Sequence, residues 1–225
     1  MFESCTSLRT APSVLPATTL AGYCCKNMFK GCTALTTPPA LPATTLATCC
    51  YDSMFKECTS LRTAPALPAT TLAEKCYAGM FKTCTNLVEA PALPATTLAD
   101  YCYMYMFNGC TSLTQAPALH ATNMKISCYL ELFKDCTSLT EAPELPATNL
   151  EHHCYTNMFF GSGLRIAPKL PATTVPYNAY DAMFRNCVNL TKAADLPASS
   201  VASWSYSGMY LGCTNLIDGP AINAS

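Results

Sequence analysis

The stretch Met54–Gly79, MFKECTSLRTAPALPATTLAEKCYAG, is a repeat unit, because most of the remaining chain consists of imperfect copies of it. Self-similarity at a fixed period between about 20 and 50 residues is typical of a solenoid, in which each coil packs on its neighbours. The sequence therefore predicts stacked coils of 26 residues, a period read directly from one aromatic column. That column contains Phe29, Phe55, Phe81, Phe107 and Phe133.

The second half of the repeat unit predicts a short helix. Leu72, Cys76 and Met80 are spaced four residues apart, which places them on one helical face. Thr71 and Glu74 have the spacing of a capping box, in which the two side chains satisfy free N–H groups at a helix start. We therefore expect a helix on one side of every coil.

The first half of the repeat unit predicts a short strand. Leu61 and Leu67 would point inward, while Arg62 and Thr63 would point to solvent. Pro65 has no N–H for a parallel ladder, so each strand is limited to about two to four residues. The predicted fold is an α/β solenoid of leucine-rich repeats, with short parallel strands on one face and short helices on the other. We expect the solenoid to form a single domain over residues 1–225. Both ends of the sequence cut through a repeat, which predicts a fragment of a longer protein.

The composition gives no reason to expect nucleic acid or an anionic membrane as a partner. The 225 residues are 50% hydrophobic and 12% charged, and the net charge is −1. A chain with balanced charge gives no reason to expect nucleic acid as a partner. No apolar run approaches the roughly 18 residues of a membrane span, and no signal-peptide pattern begins the chain. We expect no membrane insertion in this fragment.

The motif Phe-x-x-Cys-Thr-Ser-Leu-Thr, as at Phe107–Thr114, followed by the proline and leucine of Pro117–Leu119, resembles the repeats of the BspA-like leucine-rich repeat surface proteins. The resemblance covers essentially the whole chain. It implies a secreted or surface-anchored protein of host-associated microbes, located outside the cell. Such a protein would bind a host-derived protein or glycan through its repeats, without catalysis.

Most of the 16 cysteines fall into two columns of the repeat. On the predicted helix the Cα atoms of Cys76 and Cys84 would lie about 12 Å apart, beyond the limit of about 7 Å for a disulfide. We therefore expect buried thiols that act as small apolar side chains. Cys25 and Cys49 depart from the columns and lie on adjacent coils, so they form the one disulfide candidate.

Catalytic and metal-binding patterns are absent from the sequence. There is no glycine-rich phosphate loop, no GxSxG elbow and no HExxH motif. The run Glu151–Cys154 gathers metal-ligand residue types, but neighbours on a helix point in different directions. We expect no enzymatic activity, no cofactor and no metal site.

Two surfaces are candidates for binding. The two residues after each core leucine are free to vary, and stacking would align them about 4.8 Å apart on the strand face. The alternative is a set of aromatic side chains on the predicted helical face, namely Tyr101, Tyr105, Tyr177 and Trp204. The strand-face candidates are Arg9, Arg62, Glu89, Gln115, Glu141, Arg165, Lys192 and Asp218.

The preferred function is a non-catalytic binding or adhesion module of a microbial cell-surface protein, which recognises a protein or glycan through its repeat surface. The alternative is a structural or receptor-binding element of a larger assembly, such as a phage tail or an appendage. A third possibility is an intracellular leucine-rich repeat effector with its enzymatic domain elsewhere.

Overall fold

The computed structural model describes residues 1–221 and shows a stack of coils joined by backbone hydrogen bonds. The N–H of Phe55, for example, donates to the carbonyl of Met80 on the next coil at 2.9 Å. Isolated parallel bridges follow the same step, and they pair Thr63 with Glu89 and Thr71 with Thr97. Each coil of the structure is therefore one repeat of the sequence.

Strand structure is minimal. Within residues 1–221 only two strands form, β1 (Thr174–Val175) and β2 (Ser200–Val201), and they pair in parallel with Thr174 opposite Ser200. The other coils are joined by isolated bridges of one residue pair each. Nearby prolines have no N–H with which to extend these bridges into longer strands.

The predicted α/β leucine-rich repeat fold is wrong, because residues 1–221 contain no α-helix. An α-helix directs each N–H to the carbonyl four residues back on the same segment. Here the N–H of Cys76 donates three residues back to Ala73 at 3.2 Å, and the N–H of Tyr77 crosses to Cys102 on the next coil at 3.0 Å. In each coil, the segment predicted to be helical is a run of overlapping turns. We call these stacked segments together the turn ribbon.

The turn ribbon has a period of four residues. Lys75, Gly79 and Thr83 have φ angles of 52°, 58° and 61°, and a positive φ at the third position is the requirement of a type II turn. The apolar residues between them are buried on one side, as they would be in a helix with the same spacing. A spacing of four therefore predicted a helix where the chain forms turns. Thr71, predicted to start the helix, lies in a bridge instead.

The spacing of the stacked rings explains why the ribbon is not helical. Successive rings of the phenylalanine column lie 5.3 to 5.8 Å apart between centroids. Packed helices require about 8–10 Å between their axes. Helices on successive coils would therefore separate the rings, whereas one layer of turns allows adjacent coils to form hydrogen bonds.

Two aromatic columns and the leucines form a continuous core. The second column stacks with centroid distances of 5.6 to 5.9 Å, within the range of offset-stacked aromatic pairs. All but the last of its rings are almost completely buried. Its members are Tyr51, Tyr77, Tyr103, Tyr129, Tyr155, Tyr180 and Tyr206.

Removing one ring from the phenylalanine column tests the stack. Phe81 is fully buried, with its ring 5.7 Å from that of Phe55 and 5.8 Å from that of Phe107. We expect Phe81→Ala to lower the free energy of unfolding by about 3–5 kcal/mol, measured by urea denaturation. Tyr23→Ala is the control, since Tyr23 is 60% exposed. Equal effects of the two substitutions would contradict a stacked core.

One coil is shortened at Gly163, where the backbone approaches its neighbour closely. A Cβ on Gly163 would collide with the carbonyl oxygen of Thr137 and lie 3.1 Å from that of Leu139. We expect Gly163→Ala to destabilise the fold by about 1–3 kcal/mol, measured by urea denaturation. Gly219→Ala is the matched control, because its Cβ would meet no atom within 4 Å. A neutral Gly163→Ala would show that the coils are not packed this closely.

Candidate binding surface

The strand-face candidates lie in two exposed columns that cross the coils. In the first column, the N–H of Thr36 donates to the Arg9 carbonyl at 2.9 Å. In the second column, Glu89 bridges to both Thr63 and Gln115. All eight predicted residues are exposed on this face. Arg9, Arg62 and Arg165 belong to the first column, and Glu89, Gln115, Glu141, Lys192 and Asp218 belong to the second.

A shallow groove runs beside these columns. Five surface cavities of 340 to 460 Å³ lie between the coils of Glu89 and Asp195, and each shares lining residues with another. Their lining is rich in small and rigid residues such as Pro117 and Ala142. We call this the strand-face groove. Of the predicted residues, it is lined by Glu89, Gln115, Glu141, Arg165 and Lys192.

Three charged residues of the groove were missed in the sequence. Glu144 and Lys169 are exposed and line the same cavity, and the exposed Asp195 lines the next one. Their place in the repeat is alanine in the three preceding coils, at Ala66, Ala92 and Ala118. The signal was therefore present as a break in an alanine column, but that column lies outside the two that the strand pattern predicted to be variable.

The charges of the groove form no ion pairs within residues 1–221. Five ion pairs form in this part of the chain, for example between Lys26 and Asp52 at 2.9 Å, and all five lie outside the groove. Along the stack the glutamates precede the basic side chains, and Asp195 is a single acidic residue among the latter. The groove therefore presents an acidic half and a mainly basic half to solvent.

The aromatic candidates lie on the turn ribbon, since the helical face they were assigned to does not exist. Lys75 places its Nζ 4.8 Å from the ring centre of Tyr101, and Lys82 does the same over Tyr105 at 4.8 Å. These distances fit cation–π contacts within the chain. Tyr177 and Trp204 are more open, at 41% and 66% exposure. They are two scattered rings rather than a continuous surface.

One cysteine column forms hydrogen bonds that the sequence did not reveal. The thiol of Cys58 donates to the carbonyl of Phe29 at 3.1 Å, and that of Cys84 to Phe55 at 3.0 Å. Burial raises the pKa of Cys58 to about 12, so the protonated donor is the stable form at neutral pH. Where this column lacks cysteine, the hydroxyl of Ser162 lies 3.4 Å from the thiol of Cys187.

The disulfide candidates Cys25 and Cys49 are both buried free thiols. The sulfur of Cys25 lies 3.7 Å from that of its neighbour Cys24. The Cys25–Cys49 disulfide stays a prediction.

His152 is exposed and His153 is half-buried beside Tyr177, and residues 1–221 contain no group of three or more potential metal ligands.

Comparison with known proteins identifies no relative. No family model matches the chain, and neither a curated protein nor a solved structure shows significant similarity to it. Within residues 1–221, no helix has the length and apolar character needed to cross a membrane.

Thiol reactivity tests the burial of the cysteine columns. Burial raises the pKa of Cys50 to about 11 and that of Cys58 to about 12. A raised pKa keeps these thiols protonated at about pH 8, and the thiolate is the reactive form. We expect iodoacetamide to label the exposed Cys5 and Cys24 in the native chain and to spare Cys50 and Cys58, as read by peptide mass spectrometry. The urea-unfolded chain, in which every thiol reacts, is the control. Equal labelling of Cys58 and Cys24 in the native chain would contradict this burial.

Proposed function

We propose that this chain is a non-catalytic binding or adhesion module that recognises a protein or glycan through the strand-face groove. The observation that carries the proposal is the groove itself, a continuous exposed surface whose charged side chains have no ion-pair partner within residues 1–221. Solenoids commonly bind partners along an extended surface formed by equivalent positions of successive repeats.

The proposed setting is the microbial cell surface or the extracellular space. This part rests on the resemblance of the repeat motif to BspA-like surface proteins. The many cysteines are compatible with it, because burial raises the pKa of thiols such as Cys50 and slows their oxidation.

The groove supports binding more strongly than the turn ribbon does, since two of the four aromatic candidates there already contact lysines.

Charge reversal in the groove tests the proposed function. We expect the chain to bind one or more members of an array of glycans and host matrix proteins. Arg165→Glu and Glu141→Lys, which reverse charges that line the groove, would each weaken that binding up to about fivefold, because an exposed ionic contact contributes about 0.2–1 kcal/mol.

Glu74→Lys is the matched control, since Glu74 is an exposed carboxylate on the turn side of the coil. Binding that changes only with Tyr177→Ala or Trp204→Ala would move the site to the turn ribbon. Binding to none of the array would refute the adhesion role and leave an element of a larger assembly as the better explanation.

A further inference from the structure

The two halves of the strand-face groove meet at a sharp boundary between two adjacent coils. Glu141 and Glu144 lie on the first of these coils, which we call the acidic coil, and Arg165 and Lys169 lie on the next, the basic coil. Glu141 and Arg165 line one cavity of 340 Å³, and Glu144 and Lys169 line another of 460 Å³. Opposite charges therefore face each other across the boundary at two places.

These four side chains do not neutralise one another. All four are exposed, and none takes part in an ion pair within residues 1–221. Each block of like charge is therefore open to an external partner that carries the opposite block. Such a partner must present a basic pair and an acidic pair with the spacing of adjacent coils, about 4.8 Å.

The chain itself has this charge pattern in the reverse order. We infer that the partner of the strand-face groove is a second copy of this chain, bound antiparallel and face to face. This inference rests on the proposed function, since it names the partner of the same surface. The twofold axis lies in the interface and passes between the acidic coil and the basic coil. It places the acidic coil of each copy opposite the basic coil of the other copy. The contact is therefore isologous, because both copies use the same surface.

The symmetry places each acidic side chain of one copy beside a basic side chain of the other. Glu144 and Lys169 occupy the same column of the repeat, so Glu144 faces Lys169 of the second copy directly. Glu141 and Arg165 are in adjacent columns, an offset of about 3.3 Å that these long side chains can span. The twofold axis repeats both contacts, so the interface contains four ion pairs.

The neighbouring coils agree with this arrangement except at two places. Asp195, in the same column as Lys169, faces Ala118 of the second copy and lies one coil, about 4.8 Å, from the place of that copy's Glu144. One coil further out on each side, Gln115 faces Lys192 of the second copy. Beyond that, Glu89 would face Asp218, which is a like-charge contact. Both carboxylates are exposed, so at the edge of the interface salt screens their repulsion.

The size of the surface predicts a weak association. Six coils span about 24 Å along the stack, and the seven residues from Thr140 to Pro146 span about 23 Å across it. These dimensions give about 550 Å² on each copy, or about 1,100 Å² in total, which is at the lower end of specific interfaces. Many copies displayed together would be needed for firm attachment, because linked weak contacts gain strength from multivalency.

A complementary pair of variants tests the inference by sedimentation velocity over a range of concentrations. The intact 225-residue chain should dimerise reversibly, and more weakly as the salt concentration rises. Glu141→Lys with Glu144→Lys makes both coils basic, and Arg165→Glu with Lys169→Glu makes both acidic. Each double variant alone should dimerise at least about tenfold more weakly, since attractive contacts become repulsive. An equimolar mixture of the two should form a heterodimer, because every contact is again between opposite charges.

The matched control for the first double variant is Glu74→Lys with Glu151→Lys, which changes the net charge by the same amount at exposed sites outside the groove. It should dimerise like the unaltered chain. A chain that stays monomeric at every concentration, or a mixture that forms no heterodimer, would overturn the inference. A monomeric chain that still binds members of the array through Arg165 and Glu141 would leave the proposed function standing, so the two failures are distinguishable.

Discussion

The structure depends on the close approach of successive coils. Aromatic rings stack 5.3 to 5.9 Å apart, and backbone N–H groups such as that of Phe55 donate directly to the next coil. Close stacking permits only one layer of backbone on each side, so the chain forms turns and single bridges. Residues such as Lys75 adopt a positive φ in these turns, at a cost of about 1–2 kcal/mol for a residue with a Cβ. The cross-coil hydrogen bonds made by the same residues offset that cost.

The cysteines are part of the same packing. A thiol is small enough to be buried in the core between adjacent coils, and it can still donate to a carbonyl of the preceding coil, as Cys84 does to Phe55. Alanine would lose that hydrogen bond, and a larger apolar side chain would push the coils apart. Ser162 occupies one place in the column and keeps a polar contact with Cys187. This dual role explains why a chain without disulfides in its structure uses so many cysteines.

The same regular stacking determines how the surface can be used. Because each coil repeats the backbone of its neighbour, equivalent side chains form straight columns, and a change at one position adds one feature at a known place. The charges at Glu144 and Lys169, which replace the alanine of earlier coils, are such features. Their arrangement, with opposite charges on adjacent coils and no ion pair within residues 1–221, is the basis for assigning binding to the strand-face groove and for proposing a second copy as its partner.

The sequence alone determined the period, because a stack of identical coils requires equivalent residues such as Phe55 and Phe81 at the same step. It also placed the strand-face residues in exposed columns, since each of them follows a core leucine. It did not distinguish a helix from the turn ribbon, because Leu72, Cys76 and Met80 have the same spacing of four residues in both. Only the tertiary structure decided between them. In the turn ribbon every second N–H group donates to the next coil, and these hydrogen bonds depend on residues about 25 positions away rather than on the local pattern. For the same reason, the placement of Glu144 and Lys169 in the lining of one cavity emerged only when the coils were stacked.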